Sequence, residues 1–304
     1  MTGSINPTGP FLDPPAEFAR RETAAVVILP VPYDATTSYQ PGARFGPAAI
    51  IAASHQVELF DEYLQRETYR IGIHTGAPVF PNVAGPEAMV ADIRAACHEL
   101  LDEGKFIALV GGEHTVALGA LEALRRRRNG RPFGVVQFDA HRDLRAQYEG
   151  CAYSHACVAA RAVDWGLPLV QLGVRAWSRE EQDLAPRGTV TALTAWALAK
   201  GDPAALFEPA LAALPDEVYL TIDLDAFDPS VMPATGTPEP GGLTWYTVLD
   251  LIEQLAHKRR IIGLDVVELR PIPGFVAPDV LAARLLYRTL GFVTHGWPDL
   301  PVQA

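Results

Sequence analysis

Three cysteines in 304 residues are too few, and too odd in number, for a disulfide framework. Cys97, Cys151 and Cys157 therefore point to a reducing cytoplasm. Positive charge is also scarce: 25 Lys and Arg stand against 36 Asp and Glu, a formal net charge of −11 at pH 7. That balance speaks against nucleic acid or an anionic membrane as the main partner and favours small cationic molecules. No hydrophobic run approaches a membrane span, and the opening residues MTGSINPTGPFLDPP lack the charged start and apolar core of a secretory signal. They read as part of a loosely held, Pro- and Gly-rich N-terminal arm, residues 1–20. No repeat, low-complexity block or linker divides the chain, so residues 1–304 read as one domain. The basic run LRRRRNGR at 124–131 closes an amphipathic helix before Asn129-Gly130, where cations complement a helix C-terminus.

What the chain does contain is alternation. Short β-branched runs (AAVVIL from 24, KFIALV from 105, FGVVQF, PLVQLGV, EVYLTI and RIIGLDVVEL) are separated by stretches of helical period. Helices are expected over 86–103, 115–127, near 203–213, over 244–257 and after Pro278. Apolar strands interleaved with helices imply an α/β fold, a parallel sheet covered on both faces. In such sheets ligands bind beyond the carboxyl ends of the strands.

Four short motifs fall at those ends. ALVGGEHT presents His114; FDAHRDLR presents Asp139, His141 and Asp143; TIDLDAFDP presents Asp223 and Asp225; GLDVVELRP carries Glu268. If the strands continue through them, residues two apart share one face, which would converge the ligand groups. A lone His after Gly-Gly is ordinarily a loop residue, and a lone Asp-x-Asp is ordinarily a cap or solvated surface. Four carboxylates and two imidazoles together at strand ends are a metal centre. Six ligands without a thiolate exceed the needs of one zinc, whereas two dications would offset four aspartates; oxygen-rich ligation with some imidazole suits manganese.

In its motifs the chain resembles the ureohydrolases, the arginases, agmatinases and related guanidino hydrolases. The likeness runs from VPYDATTSYQPGARFGPAAI at 31–50 through TPEPGGL at 237–243 to DVVELRP, and DLRAQYEGCAYSHA and GVRAWSREE are most like agmatinases. The resemblance implies a three-layer α/β/α arginase-like fold around an eight-stranded parallel sheet, two Mn²⁺ per subunit, and a homo-oligomer, trimer or hexamer. It implies that Asp139 and Asp223 bridge both metals, that His114 and Asp143 complete one coordination sphere and His141 and Asp225 the other, and that a bridging hydroxide is the nucleophile. On the same likeness Glu268 pairs with the guanidinium, His155 shuttles a proton to the leaving amine, and Thr237 lies near the guanidinium. Cys151 and Cys157 flank His155, but this chemistry needs no thiol.

Two positions depart from the pattern: Glu113 stands where many relatives have Asp beside the first His ligand, and Ile51 where many carry Arg. Metal binding is expected to survive the first; at the second, any partner that Arg normally holds must be supplied otherwise. The segment LRAQYEGCAYSH lacks the Asn- and Ser-rich set with which arginases hold an amino acid, which favours agmatine hydrolysis to putrescine and urea, a step of polyamine biosynthesis. Tyr148 or Glu149 would receive the ammonium tail. Arg145 keeps 4-guanidinobutyrate open as an alternative; arginine is a weaker one. A non-catalytic relative or a zinc deacetylase on the same architecture would be expected to lack part of this ligand set.

Overall fold

The computed structural model describes residues 9–184 and 189–300. Eight strands form one sheet: β1 (Val26–Val31), β2 (Ile73–Thr75), β3 (Phe106–Gly111), β4 (Gly134–Phe138), β5 (Leu169–Val174), β6 (Val190–Thr194), β7 (Glu217–Asp223) and β8 (Arg260–Val267). Their order is β2-β1-β3-β8-β7-β4-β5-β6, and every pairing is parallel. The helices are α1 (Gly46–Ser54), α2 (Pro86–Asp102), α3 (Ala117–Arg127), α4 (Val158–Asp164), α5 (Arg179–Leu184), α6 (Ala195–Lys200), α7 (Pro203–Ala212), α8 (Trp245–Lys258) and α9 (Ala277–Val293).

Alternate strand residues feed two cores. Val26 and Ile28 join α1, α7, α8 and α9 on one face, while Val27 and Leu29 join α2, α3 and α4 on the other. All of β1, β3, β4 and β5 is buried, which is why these strands read as unbroken apolar runs rather than as an alternating pattern.

All six strands expected from apolar runs are present. The two without such a signal, β2 and β6, are the sheet's edges: three residues (IHT) and five (VTALT), each paired on one side alone. Short, polar edge strands discourage pairing with other chains. Helix α1 is buried at Ile50, Ile51 and most other positions, so it shows no amphipathic period. Ile51, where many relatives carry Arg, simply packs in this core.

The N-terminal arm needs correction. Residues 1–8 lie outside the described residues, but the rest of the segment is anchored at points: Phe11, Leu12 and Phe18 are buried, Phe11 N–H donates to Thr75 Oγ1 (2.8 Å) and Leu12 N–H to Ser54 Oγ (2.7 Å), while Asp13, Ala16 and Glu17 stay exposed. Burying large apolar side chains is worth about 1.5–3 kcal/mol each, enough to tie the segment to the sheet edge. Among the described residues no helix is long and apolar enough to cross a membrane.

Candidate metal centre

The four central, mutually adjacent strands β3, β8, β7 and β4 deliver Glu113-His114, Glu268, Asp223-Asp225 and Asp139-His141-Asp143 to one point beyond their carboxyl ends. Continued strand geometry is not what brings them together. Strand β4 stops at Phe138, His141 forms an isolated bridge to Ala176, and Asp143 takes a left-handed φ of 52°. Strand β7 stops at Asp223, whose Oδ1 accepts the Asp225 N–H (2.9 Å) and starts a turn of 3₁₀ helix. The motifs follow directly on the strand ends, and turns rather than strand alternation aim their side chains.

Two clusters result, His114 with Asp139 and Asp143, and His141 with Asp139 and Asp225, the ligand atoms of each lying within 4.8 Å of one another. His114 Nδ1 is 3.2 Å from Asp139 Oδ2, 3.1 Å from Asp143 Oδ2 and 3.4 Å from Asp223 Oδ2. His141 Nδ1 is 3.0 Å from Asp225 Oδ2 and 3.5 Å from Asp139 Oδ1. Asp139 thus presents one oxygen to each histidine. Asp223 sits on the His114 side, its other oxygen committed to the Asp225 backbone.

Outer contacts orient the ligands. Gln137 Nε2 donates to Asp139 Oδ2 (2.6 Å), Ala140 N–H to Asp225 Oδ1 (2.9 Å) and the Thr237 hydroxyl to Asp225 Oδ2 (3.3 Å). Thr221 donates its hydroxyl proton to Asp265 (2.7 Å), so it accepts from His114 Nε2 (2.8 Å). The Nε2–H tautomer leaves a lone pair on His114 Nδ1, which is buried without a hydrogen-bond partner and faces three carboxylates. A lone pair opposite carboxylate oxygens is repulsive unless a cation lies between them. Burial, then Asp139, pushes Asp143 up to about 7; burial and the neighbouring carboxylates raise Asp223 well above its usual range. Burial works to lower the affinity of His114 for a proton, yet the carboxylates raise it well above normal. The donor set is starved of positive charge, and it fits divalent metal.

Glu268, also at a left-handed φ (67°), accepts the His114 N–H at Oε1 (2.7 Å); burial, then Glu113, raises its carboxyl well above the usual range. His155 stands in the same cavity, of about 340 Å³, together with His114, His141, Asp143, Asp223, Thr237 and Glu268. Burial lowers its imidazole to about 4.

Thr36, not recognised from the sequence, organises His155. Its N–H and hydroxyl donate to the two oxygens of buried Glu113 (2.7 and 2.9 Å), and its Oγ1 accepts the His155 N–H (3.0 Å). With that hydroxyl proton committed, Oγ1 can only accept from His155 Nδ1, 3.3 Å away, so Nε2 carries the lone pair, 3.4 Å from Ser38 Oγ. Glu113 therefore serves the histidine through Thr36. Contacts 77 and 119 residues apart leave no signal in local spacing.

Tyr148 lines the cavity together with Trp177 and Glu239, whereas Glu149 is exposed and outside it. Cys157 is buried, its thiol pushed up to about 11 by burial, and Cys151 does not line the cavity.

Residues 24–291 match the Arginase family. The chain belongs to the arginase family. It is a hydrolase of guanidino compounds, and the family is metal-dependent. The chain is 39% identical over 295 residues to N(1)-aminopropylagmatine ureohydrolase of Synechocystis sp., spanning 93% of this chain and 95% of that protein. It is 33% identical over 274 residues to agmatinase of Pyrococcus horikoshii, spanning 88% and 92%. Among solved structures, agmatine ureohydrolase of Thermoplasma volcanium superposes with a TM-score of 0.80 at 29% identity, covering 90% of this chain and 91% of that one. Proclavaminate amidino hydrolase of Streptomyces clavuligerus gives 0.83 at 27% identity, covering 96% and 99%. The eight-stranded parallel sheet flanked by helices is an α/β fold of the arginase type, as these structural neighbours show.

Proposed function

We propose that this arginase-family protein is an agmatinase-type enzyme, cleaving the guanidinium of agmatine, or of agmatine lengthened by an aminopropyl group, to release urea and the free amine. The observation that carries the reading is one acidic cavity in which both metal clusters, Glu268 and His155 meet. Two manganese ions, one per cluster and sharing Asp139, would neutralise the aspartates, supply Lewis acidity and lower the pKa of water toward neutrality.

The chain's own residues do the rest. Glu268 has one oxygen bound to the His114 N–H, leaving the other to pair with the substrate's guanidinium. Bringing that cation in supplies the counter-charge this buried carboxyl lacks, and it orients the carbon toward the metals. Thr237 lines the same cavity. His155 enters neutral at pH 7, so its Nε2 can take the proton that the attacking water gives up and pass it to the departing amine nitrogen, which cannot leave as an anion.

Tyr148, Trp177 and Glu239 line the same cavity and would meet the substrate's tail. The longer substrate is favoured as a second reading by the 39–40% identity to N(1)-aminopropylagmatine ureohydrolases and by an outer wall that offers a further carboxylate. Arg145 lines the cavity, but its guanidinium lies over the Tyr148 ring (4.9 Å) and its Nε is 3.8 Å from Glu181, so its charge is already engaged. That weakens the case for a carboxylate-tailed substrate.

Specificity constants with manganese for agmatine, N(1)-aminopropylagmatine, arginine and 4-guanidinobutyrate test the proposal. An unpaired carboxylate brought into an acidic cavity costs several kcal/mol, so agmatine-type substrates should lead arginine by about 10³. Equal values for arginine would overturn it, and a preference for 4-guanidinobutyrate would make Arg145 a substrate ligand.

A further inference from the structure

The basic run at 124–131 is more than a helix end. With the starts of β3 and β8 it walls a groove of about 1330 Å³ at the amino ends of the central strands, the opposite end of the sheet from the metal clusters. Strand β8, eight residues from Arg260 to Val267, separates the two by about 25 Å at 3.3 Å per residue.

Arg127, Arg128 and Arg131 contribute from one segment, Lys258, Arg259 and Arg260 from a second, and Lys105 from a third. The carboxylates that meet them are fewer. Glu217 is shared by Arg128 and by Arg260 (2.8 Å), Asp102 pairs with Arg127, Glu208 with Lys258 (3.1 Å), and Asp216 lines the wall. Seven cations against four carboxylates leave a surplus of three. This occurs in a chain of net charge −11.

Helix C-termini draw cations within their last turn, which accounts for Arg127 on α3 and Lys258 on α8. It does not account for Arg131, which lies beyond α3 and makes no ion pair among the described residues, or for Arg260, which opens β8. Nor does it explain why Arg128 Nε is buried without a partner. Burial lowers the Arg128 pKa, and the neighbouring Arg260 and Arg131 lower it further. Beside them Phe106 and Trp297 pack edge to face at 5.8 Å and give the groove an aromatic wall.

We propose that this groove binds a small, multiply charged phosphate anion, seated between Arg128, Arg131 and Arg260. Planar guanidiniums match phosphate oxygens two at a time, and Arg131, without an ion pair among the described residues, beside Arg128 and Arg260, which share the one carboxylate of Glu217, leaves more guanidinium charge than that carboxylate neutralises, which suits a chain of phosphates better than a single carboxylate. An inorganic polyphosphate and a nucleoside triphosphate offer the same chemistry.

Calorimetry of the manganese-loaded, full-length enzyme at low ionic strength tests this, with tripolyphosphate and ATP as probes, each saturated with magnesium so that the metal centre is not stripped. One saturable equivalent is expected, weakened at least tenfold in the exposed double variant Arg131→Ala/Arg260→Ala and weakened by added salt, with urea release unchanged. Tighter binding of ATP that is lost in Trp297→Leu identifies a nucleotide; equal binding of both probes identifies the phosphate chain alone. No saturable binding, or undiminished binding in the double variant, overturns the proposal. A double variant that changes oligomeric state while the wild type binds neither probe does so too, and makes the groove a contact between copies of this chain.

Discussion

The two ends of the sheet are opposites in charge and in exposure. Beyond the carboxyl ends, Asp139, Asp143, Asp223, Asp225 and Glu268 are all buried; at the amino ends, Arg260 and Lys258 keep 74% and 51% of their side chains in water. Like charges cost little where water screens them and several kcal/mol each where it does not. A surplus of guanidiniums in an open groove therefore folds unaided and leaves the site available to a ligand. A surplus of carboxylates in a closed one requires cations as part of the structure. The acidic end should accordingly be sensitive to almost any change, and the basic end should leave basal turnover alone.

The strongest way to break this contrast is to remove the shared ligand. Asp139→Asn should lose metal from both clusters and lower turnover by about 10⁴ or more, since the Lewis acid and its activated water go together. His141→Ala should empty mainly one. Elemental analysis after gel filtration checks both; two full equivalents in Asp139→Asn would show that the clusters do not depend on it.

His155→Ala changes the chemistry without touching either cluster. Turnover should fall by about 10² to 10⁴, the usual worth of a positioned acid or base, with metal content and KM retained. Unchanged kcat would take His155 out of the reaction.

Thr36→Val, one contact further out, should cost about 10- to 100-fold in kcat by freeing the His155 ring, with metal content intact and the pH profile displaced. Thr36→Ser keeps the hydroxyl and should restore both. A valine variant with wild-type kcat would leave Thr36 a packing residue.

The smallest effect is on stability. Without metal, burial holds Asp143 and Glu113 up at about 7, and Asp223 and Glu268 are raised as well. From about pH 4 to 7 the folded chain then holds more protons than the unfolded one, so stability is fully present at the acid end and is lost as pH rises through about 7. His155, lowered to about 4, opposes this between about 4 and 6.5, one group against four. Thermal unfolding of chelated enzyme should show Tm dropping by several degrees from about pH 5.5 to 8.5, while the metal-loaded enzyme holds steady. A chelated Tm that climbs over that range would contradict the charge assignment.

How much of this the sequence disclosed depended on range. Buried strands announced themselves as apolar runs, and the candidate metal-binding cluster as Asp and His grouped at strand ends, because both are local patterns. Edge strand β2, three residues long, carries too few side chains for a pattern. The Phe11 anchor looked like a loose arm because Pro and Gly dominate its neighbours, while its packing partners lie tens of residues away. The Glu113–Thr36–His155 chain joins three segments whose spacing says nothing of contact, and Glu239 reaches the cavity from a loop that no local pattern ties to it. The basic run was visible, but its convergence with Lys105 and Arg260 was not.

Urea release measured against bound manganese per chain, as chelated enzyme is titrated with the metal and given agmatine or N(1)-aminopropylagmatine, bears most directly on the claim that the acidic end is built for a pair of cations. The account predicts two equivalents bound, with turnover rising steeply as the second enters. Full turnover at one equivalent, or in the chelated enzyme, would contradict it.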